Sequence, residues 1–208
     1  LPISRGGPLQ GFQRTSDLVV HYGFPGRWRW QLAFQRPDRF RLTLETTGDD
    51  QSFASDGEML RSYLGTALVA EEPAGGPCSR SLARWLAVVT LDELAGPAFR
   101  WQALPPLDGP PEATHALEAV CSADRSRYRL WFDAKSRLVA ARGPITLPTL
   151  GAGQLAARFS DHRQVDGRRL PFRIVYELDG QRFVEETVES YRLRLDAASS
   201  GSFDTGPP

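Results

Sequence analysis

Arg27-Trp28-Arg29-Trp30-Gln31-Leu32-Ala33-Phe34-Gln35 alternates strictly between apolar and polar side chains. Trp28, Trp30, Leu32 and Phe34 fall on one side, and Arg27, Arg29, Gln31 and Gln35 on the other. Successive side chains of a strand point to opposite faces, so this is a strand with one apolar and one wet face. Pro37-Asp38 breaks the pattern, which resumes with Phe40, Leu42 and Leu44 against Arg39, Arg41, Thr43 and Glu45. Working outward, the same reading predicts strands over 17–24, 51–54, 59–64, 127–133, 137–142, 155–162, 170–178 and 181–195. Asp56-Gly57, Asp166-Gly167 and Asp179-Gly180 mark tight turns between them. Many short strands joined by short turns predict a strongly curved antiparallel sheet built as a meander.

One stretch departs from this period. Between Ser79 and Val89, Leu82, Trp85, Leu86 and Val89 recur at helical spacing, which predicts an amphipathic helix covering the concave face. Thr90 followed by Glu93 has the spacing of a capping box, predicting a second short helix through Leu94, stopped by Pro97. The proline-rich stretch 104–112 reads as a loop. So does 144–150, bounded by Pro144, Pro148 and Gly151. Its Ile145, Leu147 and Leu150 either tuck onto the core or form a rim that touches ligand, membrane or partner. One domain over 1–208 is expected, with an irregular segment over 1–16, a core over 17–195 and a flexible tail over 196–208. The class is mainly β (α+β).

The composition narrows function. Apolar residues make up 41% of the 208, and 25 basic residues balance 25 acidic ones. A nucleic-acid-binding surface usually shows a basic excess, so that partner is disfavoured. No apolar run is long enough to span a membrane as a helix. Cys78 and Cys121 with three histidines match no metal-site spacing, so no metal is expected. The two cysteines form one disulfide or are two separate buried thiols. Catalytic patterns are missing: Gly151-Ala152-Gly153 lacks the third glycine of a dinucleotide loop, and no GxSxG, HExxH or P-loop occurs. Asp161-His162 and Glu185-Glu186 are adjacent in strands, which sends each pair to opposite faces. The expectation is a binding protein without cofactor, not an enzyme.

The aromatic residues carry the binding expectation. Trp28, Trp30, Phe34, Phe40 and Leu42 share apolar strand faces, while Leu82, Trp85 and Leu86 line the apolar stripe of the helix. These side chains either fill a core or, if the sheet curls beneath so short a cover, wall a cavity suited to acyl chains.

Two motifs point to a known family. Gln35-Arg36-Pro37-Asp38-Arg39-Phe40-Arg41-Leu42, followed by Ser55-Asp56-Gly57-Glu58-Met59-Leu60, resembles the periplasmic lipoprotein-carrier family, the LolA-like proteins. There a basic-Pro-x-x-Phe turn precedes a Ser-Asp-Gly hairpin at similar spacing. The hairpin from Tyr128 to Val139 is similar to a later one of the family, and the run from Asp161 to Ile174 to a variant among its lipoprotein-sorting relatives. The resemblance implies an unclosed β-barrel with a helical cover and an apolar cavity that takes acyl chains. It implies Arg36 as a contact to the lid. It implies a periplasmic carrier of lipoprotein or other lipid, with an envelope membrane protein as partner and an N-terminal lipid anchor to the outer membrane as further options. The alternative is a sensor or accessory module of the same fold that acts through protein–protein contacts. Departures are the segment 1–16, whose Pro2, Gly6, Gly7 and Pro8 do not suit the family's opening helix, and Arg61, where an aromatic residue is usual.

Overall fold

The computed structural model describes residues 11–22, 25–35, 39–46, 48–91, 94, 96–147 and 150–193. The first six strands are β1 (Gly11–Val20), β2 (Gly26–Gln35), β3 (Arg39–Glu45), β4 (Gln51–Ser55), β5 (Met59–Leu64) and β6 (Ala67–Pro73). One helix follows, α1 (Pro77–Ala87). The chain then continues through β7 (Phe99–Leu104), β8 (Ala113–Cys121), β9 (Arg127–Asp133), β10 (Leu138–Leu147), β11 (Gly151–Val165), β12 (Arg168–Leu178) and β13 (Gln181–Leu193).

All thirteen strands belong to one sheet, in the order β6-β5-β4-β3-β2-β1-β13-β12-β11-β10-β9-β8-β7. Every neighbour pair is antiparallel, and the first strand pairs with the last. The order is a meander that runs round a ring and breaks once, between β6 and β7. This is the expected antiparallel sheet in the form of an unclosed barrel. Hairpin chemistry sets several registers. Asp166-Gly167 (φ 45° and 81°) and Asp179-Gly180 (φ 51° and 80°) both take the left-handed pair of conformations that a two-residue turn between twisted strands demands.

Several expectations need correction. The segment 1–16 is not irregular throughout, because β1 begins at Gly11 and lies in the middle of the sheet. The stretch 144–147 is not a loop but the second half of β10, and Gly151 opens β11. Pro144 is tolerated there because pairing of β10 with β9 stops at Arg142, so its missing N–H faces a free edge. The second helix expected from Thr90 through Leu94 falls in part on residues outside the described ones; at its start Leu91 takes a φ of 60°, and the Thr90 hydroxyl donates back to the Ala87 carbonyl at 2.9 Å. Glu93, the partner expected for that cap, lies outside the described residues, as does the tail from 194. The strands β6, β7 and β8 went unread in the sequence.

The helix α1 starts at Pro77, which suits a first-turn position, and the Glu72 carboxylate accepts from the Ser79 N–H at 2.7 Å. It lies on the unpaired half of β10. The Ser81 hydroxyl accepts from the Thr146 N–H at 2.9 Å, and Trp85 Nε1 donates to the Pro144 carbonyl at 2.9 Å. Its other anchor is the β8–β9 turn. Arg84, almost fully buried, donates to Asp124 at 2.8 Å, to the Ser126 hydroxyl at 2.9 Å and to Cys121 Sγ at 3.2 Å. Arg80 reaches the same Asp124 carboxylate at 3.4 Å. Partial burial alone would raise the Asp124 carboxyl, but hydrogen bonds from Ser126 and Arg84 outweigh it and hold the group well below the usual carboxylate range. Among the described residues no helix is long and apolar enough to cross a membrane.

Cys78 and Cys121 are both buried free thiols, so the bridge that two cysteines permit is not made. Burial, with Glu72 adding to it, pushes the Cys78 thiol up to about 12. Thiol titration of denatured, unreduced protein is therefore expected to find two sulfhydryls, and the native protein at neutral pH to react slowly. A titration that finds none would put the bridge back. A second expectation concerns the helix anchor. A carboxylate whose pKa is depressed by folding stabilises above its unfolded value of about 3.9, and that contribution fades as pH falls below it. Asp124→Asn should lower stability by about 1–2 kcal/mol at neutral pH and flatten the acid limb of a melting-temperature profile. Parallel wild-type and variant profiles shifted by a constant would refute it.

Candidate ligand cavity

The inward faces of the strands and α1 enclose a cavity of about 180 Å³. Trp28, Trp30 and Leu42 line it from the sheet, and Leu82, Trp85 and Leu86 from the helix. Ile145 and Leu147 on β10 and Leu150 beyond it line it as well. Phe34 and Phe40 do not. Both are fully buried, and Phe34 stacks on Phe12 with ring centroids 5.6 Å apart. Arg36 lies outside the described residues. Residues not named as cavity candidates from the sequence complete the lining, among them Leu18, Leu44, Phe53, Tyr176, Phe183 and Val184. For Leu18, Leu44, Phe53 and Tyr176 the signal was present as period-two alternation, which names a face and not a height along the barrel. Adjacent Phe183 and Val184 both reach the cavity, beside a register shift at Tyr176/Glu177, and alternation could not have found both.

Strand register supplies the height. Ser16 pairs with Trp30 and Trp30 with Leu44; Arg14 pairs with Leu32 and Leu32 with Leu42; Phe12 pairs with Phe34 and Phe34 with Phe40. The cavity reaches Leu18 and Trp30 on the β1–β2 side, and the three phenylalanines form a row two residues or more beyond it. The mouth lies at the opposite end, where Tyr22 and Leu150 lie just beyond strand ends, Phe183 is near the start of β13, and Tyr22 is 48% exposed.

Between cavity and phenylalanine row sits a buried charge pair. Arg14 and Glu186 are 2% and 0% exposed, and Arg14 Nε lies 3.1 Å from Glu186 Oε1. The carboxylate also accepts from the Ser16 hydroxyl at 2.7 Å, Trp30 Nε1 at 3.1 Å and the Tyr176 hydroxyl at 3.1 Å. Three donors thus fill three of the roughly four acceptor positions of the carboxylate, and Arg14 adds the counter-charge as an ion pair, its Nε and Nη1 making no hydrogen bond. Trp30 in turn lies over the Arg14 guanidinium, 4.8 Å from carbon to ring centre. Burial pushes the Tyr176 phenol well above its ordinary value and the adjacent Glu186 charge adds to it, so Tyr176 stays a donor. Trp30 and Tyr176 thus turn their polar atoms toward Glu186 while they line the cavity. The outcome for Glu185-Glu186 matches the strand argument: Glu186 faces inward, while Glu185 stands outside against Arg173, Arg182 and His21.

No family model and no curated protein matches the chain. Solved structures do. A LolA superfamily protein from Nitrosomonas europaea superposes with a TM-score of 0.62 at 17% identity, covering 92% of this chain and 90% of the other. A putative outer membrane lipoprotein-sorting protein domain from Vibrio parahaemolyticus gives 0.58 at 12% identity, covering 95% and 91%. A DUF1329 family protein from Desulfovibrio piger gives 0.56 at 11%, covering 97% and 93%. An unclosed antiparallel barrel with a helix over its gap, matched over nine-tenths of its length to these structures, is a LolA-like fold.

Proposed function

We propose that the protein is a periplasmic carrier that holds acyl chains of a lipoprotein or another lipid in the cavity and passes them between membranes. The observation that carries this reading is the cavity itself, walled by aliphatic and aromatic side chains beneath a helix attached by separable polar bonds. Among the described residues its lining holds no carboxylate, imidazole or thiol, which supports binding rather than catalysis. Sheet edge β6 favours a second reading, a sensor or accessory module that works through protein contacts. Leu68 and Val69 there are 51% and 60% exposed on a strand with one unpaired side.

Titrating a saturated fatty acid or a diacyl lipopeptide separates the two. The carrier reading expects a change in tryptophan fluorescence, since Trp28, Trp30 and Trp85 line the cavity. It also expects a stabilisation of about 2.7 kcal/mol at a hundredfold excess over Kd, a melting shift of roughly 5–10 °C. Leu42→Arg should weaken both responses, because it sets an unpaired charge in the apolar wall. No fluorescence change, no thermal shift and no lipid in an organic extract of the purified protein would defeat the carrier reading. A stable complex with a membrane protein and an empty cavity would favour the sensor.

A further inference from the structure

We infer that the cavity accepts a single acyl chain, tail first, to a depth set by the Arg14–Glu186 pair with Trp30 and Tyr176, which together form its floor. This rests on the carrier reading and specifies its ligand. The width comes from volume: about 180 Å³ is only somewhat larger than the roughly 150 Å³ apolar cavity that holds one benzene ring. That is room for one chain side by side with nothing else while α1 is in place.

The depth comes from what lies below the lining. On the β1 side the cavity runs from Tyr22 to Leu18, at most about 14 Å at the rise of a strand. The next inward positions on β1 are Ser16 and Arg14, and both belong to the Glu186 network. A methylene group advancing past Trp30 would have to part the indole from Glu186 and Arg14, stranding buried polar groups. Beyond them the row of Phe12, Phe34 and Phe40 is already packed. The tail leads because Glu186 is bonded by Ser16, Trp30 and Tyr176 and paired with Arg14, and neither charged residue lines the cavity, so a polar headgroup at the floor would meet only indole, phenol and aliphatic surface. The headgroup stays at the mouth.

The test is a homologous series of saturated fatty acids, octanoate to stearate, with affinity measured by calorimetry and stoichiometry by native mass spectrometry. Affinity should rise about fourfold per methylene, the equivalent of roughly 0.8 kcal/mol each. It should then go flat at the length that touches the floor, with one chain bound per protein. Trp30→Leu, which lowers the floor, and the double variant Arg14→Met/Glu186→Leu, which removes its charges, should both move the break to longer chains. Circular dichroism checks that the variants fold. If either does not, Leu42→Phe raises the bottom from β3 and must move the break to shorter chains. A break unmoved in every folded variant, no break in the wild type, or two bound chains overturns the inference and leaves the carrier reading standing. No binding at any length overturns both.

Discussion

Parity governs this barrel. In an antiparallel meander each strand reverses its neighbour, so a ring of thirteen in which β1 pairs with β13 leaves β6 and β7 pointing the same way. Two strands that run in the same direction need a connection that travels back along the full length of the sheet. The segment 74–98 makes that journey, and α1 is its helical part, about 16 Å long at helical rise. The odd strand count therefore calls for the crossover, and the crossover carries the helix that covers the gap left between β6 and β7. A helix across a gap cannot zip to the flanking edges as a strand would, so it is tied down by side chains: Ser81 and Trp85 to β10, Arg80 and Arg84 to Asp124. These bonds also satisfy an edge that would otherwise be bare, since residues 143–147 of β10 have no β9 partner.

The interior is partitioned by polarity. An apolar barrel of this width could have closed on a continuous hydrophobic core, and the row of Phe12, Phe34 and Phe40 shows how its far end does so. Toward the mouth the filling stops. The unfilled apolar lining forgoes dispersion contacts that a packed core would make. Separating the buried pair would cost about 3–5 kcal/mol. The floor thus resists the inward collapse that would otherwise remove the void, and a space for an apolar chain persists in the folded protein.

These two features explain what could be read in advance. The strand Trp28 to Phe34 and the aspartate–glycine hairpins are local signals, and they placed the sheet correctly. The helix was legible from Leu82, Trp85, Leu86 and Val89 because no strand pattern competes there. Strand β6 was missed because both its faces are largely exposed, which removes alternation. Strand β1 was cut short for a more informative reason: its inward positions are Phe12, Arg14, Ser16, Leu18 and Val20, and the two polar ones erase the apolar period. The residues that floor the cavity are the ones that hid the strand. Glu186 was assigned the opposite face from Glu185, yet its partners at positions 14, 16 and 30 are more than 150 residues away and left no local trace. Pro144 misled for a related reason, since its tolerance depends on β9 ending early, which only the register reveals.

The cover and the void are energetically coupled through the same helix. Leu82, Trp85 and Leu86 contribute wall, while Ser81 and Arg84, on the same two turns, contribute attachment. Lifting α1 breaks the bonds to Thr146, Pro144 and Asp124, exposes the β10 edge and wets the wall, so an empty cavity has every reason to stay shut. A chain that enters replaces the dispersion contacts the lining lacks and leaves the polar bonds untouched once the helix returns. On the carrier reading, such a ligand stabilises the closed, filled state over the closed, empty one, and it can shift the helix only by as much as its affinity differs between two helix positions. On that reading, the strength of the anchor sets how readily the helix gives access, and the floor sets how much apolar contact a chain can gain inside. Those two quantities are encoded by separate residues, Arg84 and Asp124 for the first, Arg14 and Glu186 for the second, so each can be tuned without the other.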